Sequence, residues 1–266
     1  MGTDHLSRVA EQVVCPRLML AVAWVPLCIH IAASGAEIKV LAGSAIQPVM
    51  EVLTPKFEQQ TGHRVVFDWG AAGGMAERVQ RGEKADLAVV TGPQMNSLLA
   101  AGKITPGTRL DLGKTGVGLF VRKGAPKPDI GSVESFRQTM LAAKSIGYND
   151  PAAGAPVSIY LIGLFEKMGI ADRMTPKTVV FKQRTERFGA VARGDVEIGF
   201  NQLSEIVAVP AVDLVGPLPP PIQNYTAFSI AALSSTEHPE AARALVEFLS
   251  APDSVAAFRG RGFEAP

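Results

Sequence analysis

The chain has 266 residues, of which 47% are hydrophobic and 19% charged, with 26 basic and 25 acidic side chains. This composition fits a globular protein with one large core or two modest ones, and it excludes a disordered or fibrous chain. The near balance of charge excludes a whole-molecule field that would attract nucleic acid or an anionic membrane, so any charge preference must be local.

The first 36 residues have the pattern of a secretory signal peptide. Arg17 precedes an apolar run over 18–31, and small residues follow at 33–36. The run is short for a membrane span and polar residues begin at Glu37, so we expect cleavage after about Ala36 and a periplasmic mature protein. An uncleaved anchor and a buried helix are the alternatives.

Both cysteines, Cys15 and Cys28, lie in this segment. The mature chain is therefore expected to contain no thiol, which excludes disulfides, cysteine catalysis and cysteine-ligated metals.

From Ile38 onward, short apolar runs rich in β-branched residues alternate with longer segments of helical spacing, which predicts βα units on a parallel sheet. Strands are predicted over 38–41, 65–69, 87–90, 117–121, 145–148, 178–181, 198–200 and 227–232. Helices are predicted over 45–60, 74–81, 93–100, 132–142, 155–168, 186–193, 239–249 and 253–259. Glycines one or two residues after five of the helices are the expected C-terminal caps. The proline-rich stretch 217–221 predicts a stiff, extended passage.

Four corners between a predicted strand and the next helix consist of small or hydroxyl-bearing residues, at 43–45, 70–74, 91–93 and 150–154. In open α/β sheets, ligands lie beyond the carboxyl ends of the strands. The first amides of a helix are unpaired and can hold an anion without a cationic side chain. A tight turn explains any single corner, but four corners along one cleft indicate an anion site.

Several segments together carry a resemblance to a known family: 40–44, 57–62, the ungapped run 70–82 with 85–87, 149–151, and 193–200. They resemble the molybdate-binding-like group of type 2 periplasmic solute-binding proteins, which serve ABC transporters. The resemblance implies an α/β, two-lobed fold, each lobe a doubly wound sheet, with the ligand cleft between the lobes. It implies a small anion and a membrane permease as partners, and we expect a monomer that binds neither cofactor nor nucleic acid.

The expected division of the chain assigns 1–36 to the signal peptide, 37–115 with 216–266 to the first lobe, and 116–215 to the second. The chain is expected to cross between the lobes near 114–122 and 216–232. Such a protein works by hinge closure, in which ligand contacts from both lobes favour the closed state.

The resemblance implies that Ser44 offers its hydroxyl and amide to the ligand, and that the backbone at Ala72 and Gly73 does the same. The chain departs from the family pattern at Ala72, where molybdate binders place a serine, and at Gln202, which aligns with their tyrosine. The loss of two hydroxyl donors favours an organic carboxylate, with molybdate or tungstate as the alternative.

The guanidinium of arginine can donate two parallel hydrogen bonds to a carboxylate. We therefore expect the basic corner at 182–185 to supply the positive charge for the ligand, with Arg184 as the strongest candidate. A solvated surface charge is the alternative for any one of these arginines. The remaining candidate ligand-binding residues are Arg78, Thr91, Pro151, Ala153, Gly154, Thr185 and Asn201.

Enzyme sites and metal sites are not indicated. His63 and His238 belong to no metal-spaced cluster, no histidine is expected near Ser44, and the glycines at 70–74 lack nucleotide-binding spacing. We therefore expect a non-enzyme without a metal. Two alternatives stay open: a ligand sensor that presents the anion to a membrane receptor, and an enzyme on the same scaffold, which requires an acid or base in the cleft.

Overall fold

The computed structural model describes residues 35–265, so residues 1–34 of the predicted signal peptide, with both cysteines, lie outside the described range. The strands are β1 Glu37–Gly43, β2 Arg64–Gly70, β3 Leu87–Thr91, β4 Leu110–Arg122, β5 Ile146–Asn149, β6 Thr178–Phe181, β7 Ile198–Gln202, β8 Val212–Pro217 and β9 Tyr225–Ala232. The helices are α1 Gln47–Thr61, α2 Ala72–Gln80, α3 Gly92–Ala100, α4 Val133–Ala142, α5 Pro156–Lys167, α6 Ala171–Met174, α7 Arg184–Arg193, α8 Leu203–Ile206, α9 Pro239–Ser250 and α10 Pro252–Arg259. Within this range every helix is too short or too polar to span a bilayer.

The strands follow the order β2-β1-β3-β9-β4-β7-β5-β6, and β8 also pairs with β4. Strands β1, β2 and β3 are parallel to one another, as are β5, β6 and β7. Strands β8 and β9 run antiparallel to β4. The sheet therefore has two parallel halves that meet at antiparallel strands.

Strand β4 belongs to both halves of the sheet. Its first part, from Leu110 to Gly116, pairs with β9, and its second part, from Val117 to Val121, pairs with β7. The sequence predicted only the second part, because the first part contains glycines and polar residues that carry no alternating apolar pattern.

Each half of the sheet is covered on both faces. Along β1, Ile38 and Val40 pack into one buried cluster while Leu41 packs into another on the opposite face. Along β4, Leu119 and Phe120 divide in the same way between two clusters of the other half. This alternation follows from the two-residue period of a strand, and it confirms the prediction of two doubly wound lobes.

Every predicted strand and helix is present, with most ends within two or three residues of the expected positions. The sequence missed β8 and the four-residue helices α6 and α8, which are too short to have a period. The stretch predicted as extended over 217–221 ends β8 at Pro217 and then forms a 3₁₀ turn over Pro220–Ile222. The division into lobes near residues 115 and 216 stays a prediction.

Candidate functional site

A small cavity, called here the inner cavity, lies where the two halves of the sheet meet. Its first wall is formed by the ends of β1 and β2 with the residues that follow them, Gly43, Ser44, Ala45, Gly70, Ala71 and Ala72. The polar side chains of its second wall come from β5, β7, α5, α7 and α8, and they are Asn149, Ser158, Arg187, Asn201, Gln202 and Glu205. The cavity volume is about 30 Å³. This is room for roughly two water-sized atoms, such as the oxygens of one carboxylate.

The first wall is neutral and consists largely of backbone. Strand β2 ends at Gly70 and α2 begins at Ala72, so the amides of the first turn of α2 have no partner within the helix. The corners pack closely, since a Cβ atom added to Gly43 would lie 3.2 Å from Cβ of Ala72. Small residues at these corners let a ligand reach the amides.

The two walls touch each other directly beside the cavity. The Gly73 amide donates to the Gly154 carbonyl at 3.4 Å, and a Cβ atom added to Gly73 would lie 2.6 Å from Cα of Gly154. Gly154 itself has a φ of 73°, in the left-handed region that favours glycine. Ser204 Oγ in α8 also donates to the Ala45 carbonyl at 2.9 Å. The cleft is therefore closed in this structure.

The main charge of the inner cavity comes from Arg187 in α7, a residue that the sequence reasoning missed. Its side chain is 1% exposed, and neither Nε nor Nη2 has a hydrogen-bond partner among residues 35–265. Burial lowers the pKa of Arg187 to about 10, while Glu205 opposes this shift and Arg184 adds to it. The guanidinium is thus still charged at neutral pH and has unused donors. The signal in the sequence was incomplete, because the predicted helix began at residue 186 and excluded Arg184. The observed helix begins at Arg184, and residues three apart on a helix share a face.

Glu205 in α8 is the acidic member of the second wall and is 3% exposed. Its Oε1 lies 3.2 Å from Nε of Arg184, within ion-pair distance. The two atoms do not have the geometry of a hydrogen bond, and Oε1 accepts none from the described residues. Two guanidinium groups therefore accompany one carboxylate, which leaves a net positive charge suited to an anion.

Neutral hydrogen-bonding groups complete the second wall. Asn201, predicted as a ligand-binding residue, is 4% exposed, and its Nδ2 has no partner in the described range. Oδ1 of Asn149 likewise has no hydrogen-bond partner among the described residues. Ser158 Oγ donates to the Asn149 carbonyl at 2.5 Å, which fixes the end of β5 against α5. The wall thus offers both a donor and an acceptor beside the charge.

Gln202 lines the cavity, but its amide serves the fold, which corrects its expected role as a ligand donor. In the amide orientation that satisfies both ends, Nε2 donates to the carbonyls of Thr115 and Gly116 at 3.0 and 3.2 Å. Its Oε1 then accepts from Thr226 at 2.9 Å. Gln202 therefore ties the end of β7 to β4 and β9.

A wider pocket, called here the outer pocket, lies beside the inner cavity and has a volume of about 410 Å³. The two spaces share Ser44, Gly70, Ala71 and Asn149. The outer pocket also contains the predicted residues Ala153, Arg184 and Thr185, together with Lys182. A ligand longer than one carboxylate can therefore extend from Arg187 towards a second basic group.

Five predicted residues line neither space, and two of them, Gly73 and Gly154, instead form the contact between the walls. The other three, Arg78, Thr91 and Pro151, lie elsewhere. Arg78 donates to Glu83 from Nε and Nη2, at 2.6 Å in each case, and also to Asp68. These carboxylates raise the pKa of Arg78 and hold its guanidinium, so it does not reach the cleft. Thr91 caps α3, and Pro151 begins a 3₁₀ turn. Within residues 35–265, no group of three or more histidine, cysteine or acidic side chains is placed to hold a metal ion.

Residues 38–264 match the sequence profile of a family described as bacterial extracellular solute-binding protein. The chain belongs to this family. The match extends through both halves of the sheet, and it confirms the resemblance stated from the sequence.

The relatives and structural neighbours of this chain differ in what their names say they bind or act on. A protein of a Pseudomonas species named aconitate isomerase is 36% identical over 233 residues, covering 85% of this chain and 86% of that protein. The periplasmic molybdate-binding protein of Azotobacter vinelandii superposes with a TM-score of 0.73 at 20% identity, covering 86% of this chain and 99% of that structure. The sulfate-binding protein SubI of Mycobacterium tuberculosis gives 0.68 at 18% identity, covering 86% and 87%. The two structures establish the two-lobed fold.

Proposed function

We propose that this protein is a periplasmic solute-binding protein that captures an organic carboxylate by closure of its cleft. The observation that carries the proposal is the Arg187 guanidinium, buried in the inner cavity with unused hydrogen-bond donors. A buried cation without a hydrogen-bonding partner destabilises the folded state. A carboxylate bound there would receive two parallel hydrogen bonds from the fork and neutralise its charge.

The arrangement of the two spaces supports an anion with more than one carboxylate. The inner cavity has room for about one carboxylate group, and the adjacent outer pocket adds Arg184 and Lys182. Aconitate, the tricarboxylate in the name of the 36% identical relative, has this form. Molybdate and sulfate, which are compact, would leave the outer basic groups unused and are the alternative.

The proposed partner is the membrane permease of an ABC transporter, which would recognise the closed form of the monomer. Residues from both walls would contact the ligand, and only such differential contacts shift the equilibrium towards closure. A sensor that presents the same anion to a membrane receptor would use identical contacts. Uptake of the labelled ligand by cells with and without the chain separates the two roles.

A ligand panel tests the proposal on the exported protein. The panel contains cis-aconitate, trans-aconitate, citrate, succinate, molybdate, tungstate, sulfate and phosphate, with thermal unfolding and calorimetry as readouts. A ligand at one hundred times its Kd stabilises the fold by about 2.7 kcal/mol, and we expect this effect from a polycarboxylate. Stabilisation by molybdate or sulfate with no response to any carboxylate would contradict the proposal.

A second candidate function is catalysis on the same scaffold. The relative named aconitate isomerase favours it, and so does Glu205, since an enzyme requires an acid or base in the cleft. Incubation with cis-aconitate followed by proton NMR distinguishes turnover from binding.

A further inference from the structure

We propose that Glu205 carries a proton between two carbon atoms of an unsaturated polycarboxylate held in the cleft, so that the protein isomerises this ligand. This inference rests on the proposed function, because the ligand must first be anchored through a carboxylate on Arg187. The two Cα positions lie on neighbouring elements of the second wall, α7 and α8, and both side chains reach the inner cavity.

Glu205 is suited to act as a base on carbon. Among the described residues that line the inner cavity it is the only one with a carboxylate, and the lining contains no histidine, lysine, cysteine or tyrosine. Its side chain is 3% exposed, so little water competes for the carboxylate. Its Oε1 accepts no hydrogen bond within residues 35–265, which leaves that atom able to take a proton.

The contact with Arg184 argues against a role for Glu205 as a charge partner only. A guanidinium that simply neutralises a carboxylate normally donates to it, often with two parallel hydrogen bonds. Arg184 Nε instead lies 3.2 Å from Oε1 without hydrogen-bond geometry, and its Nη2 donates at 3.5 Å to the Glu205 backbone carbonyl. The contact holds α8 beside α7 and leaves Oε1 without a hydrogen bond.

The reaction requires no co-reactant. Glu205 removes a proton from the methylene carbon beside the double bond, and the electron pair of that C–H bond forms a new double bond to the central carbon. The electrons of the former double bond then take the proton back from Glu205 at the other terminal carbon, forming a new C–H bond. In aconitate both terminal carbons bear carboxylates, so this shift regenerates the same skeleton and interconverts its cis and trans forms.

The charged groups of the second wall favour this proton transfer. Removal of the proton develops negative charge that spreads onto the ligand carboxylates. Arg187 and Arg184 are fixed beside the cavity before the reaction, and their attraction is strong because the site is screened from water. Glu205 then moves the proton over a short distance within one bound complex.

The test compares wild type with Glu205→Gln and Glu205→Asp. Tricarballylate, the saturated tricarboxylate, serves as a binding probe that cannot isomerise, and proton NMR follows the conversion of cis-aconitate. We expect wild type to convert cis-aconitate and Glu205→Gln to lose at least about 100-fold in turnover, the contribution typical of a positioned base. Binding of tricarballylate to Glu205→Gln should be as tight as to wild type or tighter, since a negative charge is removed.

The outcomes separate this inference from the function on which it rests. If wild type binds tricarballylate and cis-aconitate but leaves cis-aconitate unchanged, or if Glu205→Gln converts it at the wild-type rate, the role of Glu205 is overturned and the binding function stands. If wild type binds neither tricarboxylate, both proposals fail. Glu205→Asp keeps a carboxylate that is shorter by one methylene, and we expect it to fold, bind and turn over at least about tenfold more slowly. It provides the readout if Glu205→Gln does not fold.

Discussion

The two walls of the cleft present different chemistry to the same small space. The first wall offers backbone amides and one hydroxyl from small residues, whereas the second wall contributes buried arginine, glutamate and asparagine side chains. A neutral backbone wall suits any anion, because the amides respond to charge and not to the shape of the ligand. We infer that the second wall determines which anion is bound.

The two walls also differ in how much they destabilise the folded protein without ligand. Exposed amides at a helix start can be satisfied by water, so the first wall carries little penalty. Arg187 is charged and buried, which lowers the stability of the fold until an anion binds. Sites that pair function with local instability are common in proteins.

The largest expected effect is on ligand affinity, and it follows from removing the buried charge of the second wall while the first wall stays intact. Arg187→Met should weaken binding of a polycarboxylate by about 100-fold or more, the loss of a buried charged contact amounting to roughly 2–5 kcal/mol. Without ligand, the same variant should be more stable by about 1 kcal/mol, because an apolar side chain replaces a buried cation. Calorimetry and denaturant unfolding measure the two effects.

Two arginine variants are the controls for this experiment. Arg187→Lys keeps the positive charge but loses the two parallel N–H donors of the guanidinium, so its affinity should fall between those of wild type and Arg187→Met. Arg78→Met removes an arginine that is held by Glu83 and Asp68 away from the cleft, and its affinity should match wild type. Equal losses from Arg78→Met and Arg187→Met would contradict the assignment of the ligand charge to the second wall.

The next effect concerns the contact between the walls. Gly73→Ala places a Cβ atom 2.6 Å from Cα of Gly154, so the walls cannot approach as they do here. We expect affinity to fall at least about tenfold, or 1.4 kcal/mol, measured by calorimetry. Gly74→Ala is the matched control, because it lies on the same turn of α2 and its Cβ would be at an ordinary 3.6 Å from the Ala153 carbonyl oxygen. An equal response from both variants would mean that closure does not involve this contact.

The smallest effect tests whether the ion pairs beside the first wall serve only stability. Hydrogen bonds from Arg78 and then from Lys39 lower the pKa of Glu83 to about 2, from its usual 4.5. A lowered pKa means that the stabilisation is present above pH 4.5 and is lost as the pH falls towards 2. Glu83→Gln should therefore reduce the free energy of unfolding at pH 7 by about 1 kcal/mol or less, with the difference vanishing near pH 2.

A carboxylate on α2, the helix that contains Arg78, is the control for Glu83. Glu77 lies 3.7 Å from Arg81 in an exposed pair, and Glu77→Gln should change the free energy of unfolding at pH 7 by no more than about 0.5 kcal/mol. Both variants should bind the ligand as wild type does. A loss of ligand affinity in Glu83→Gln would contradict this, because it would mean that the ion pairs of Arg78 contribute to ligand binding.

The sequence was sufficient for most of the fold because the strands have strong local signals. Buried β-branched runs such as β3 and capping glycines such as Gly62 and Gly194 mark their elements without reference to the rest of the chain. Strand β8 and the first part of β4 were missed. They are stabilised by pairing with distant strands, and their own residues have no clear period.

The candidate site was predictable where it consists of backbone and less so where it consists of side chains. The first-wall corners at Ser44 and Ala72 follow from strand–helix junctions, and the structure brings both to the inner cavity. Arg78 and Arg187 could not be ranked by residue type, since exposure and ion pairing depend on packing between distant elements. Glu205 was missed because it lies in a four-residue helix with no sequence signature.

Strand β4 has a consequence for how the protein unfolds. Because this one strand is hydrogen-bonded in both halves of the sheet, and Gln202 joins β7 to β4 and β9, neither half can lose its sheet without disturbing the other. We expect the two cores to unfold in a single transition, so that a ligand bound in the cleft would delay the melting of both halves together.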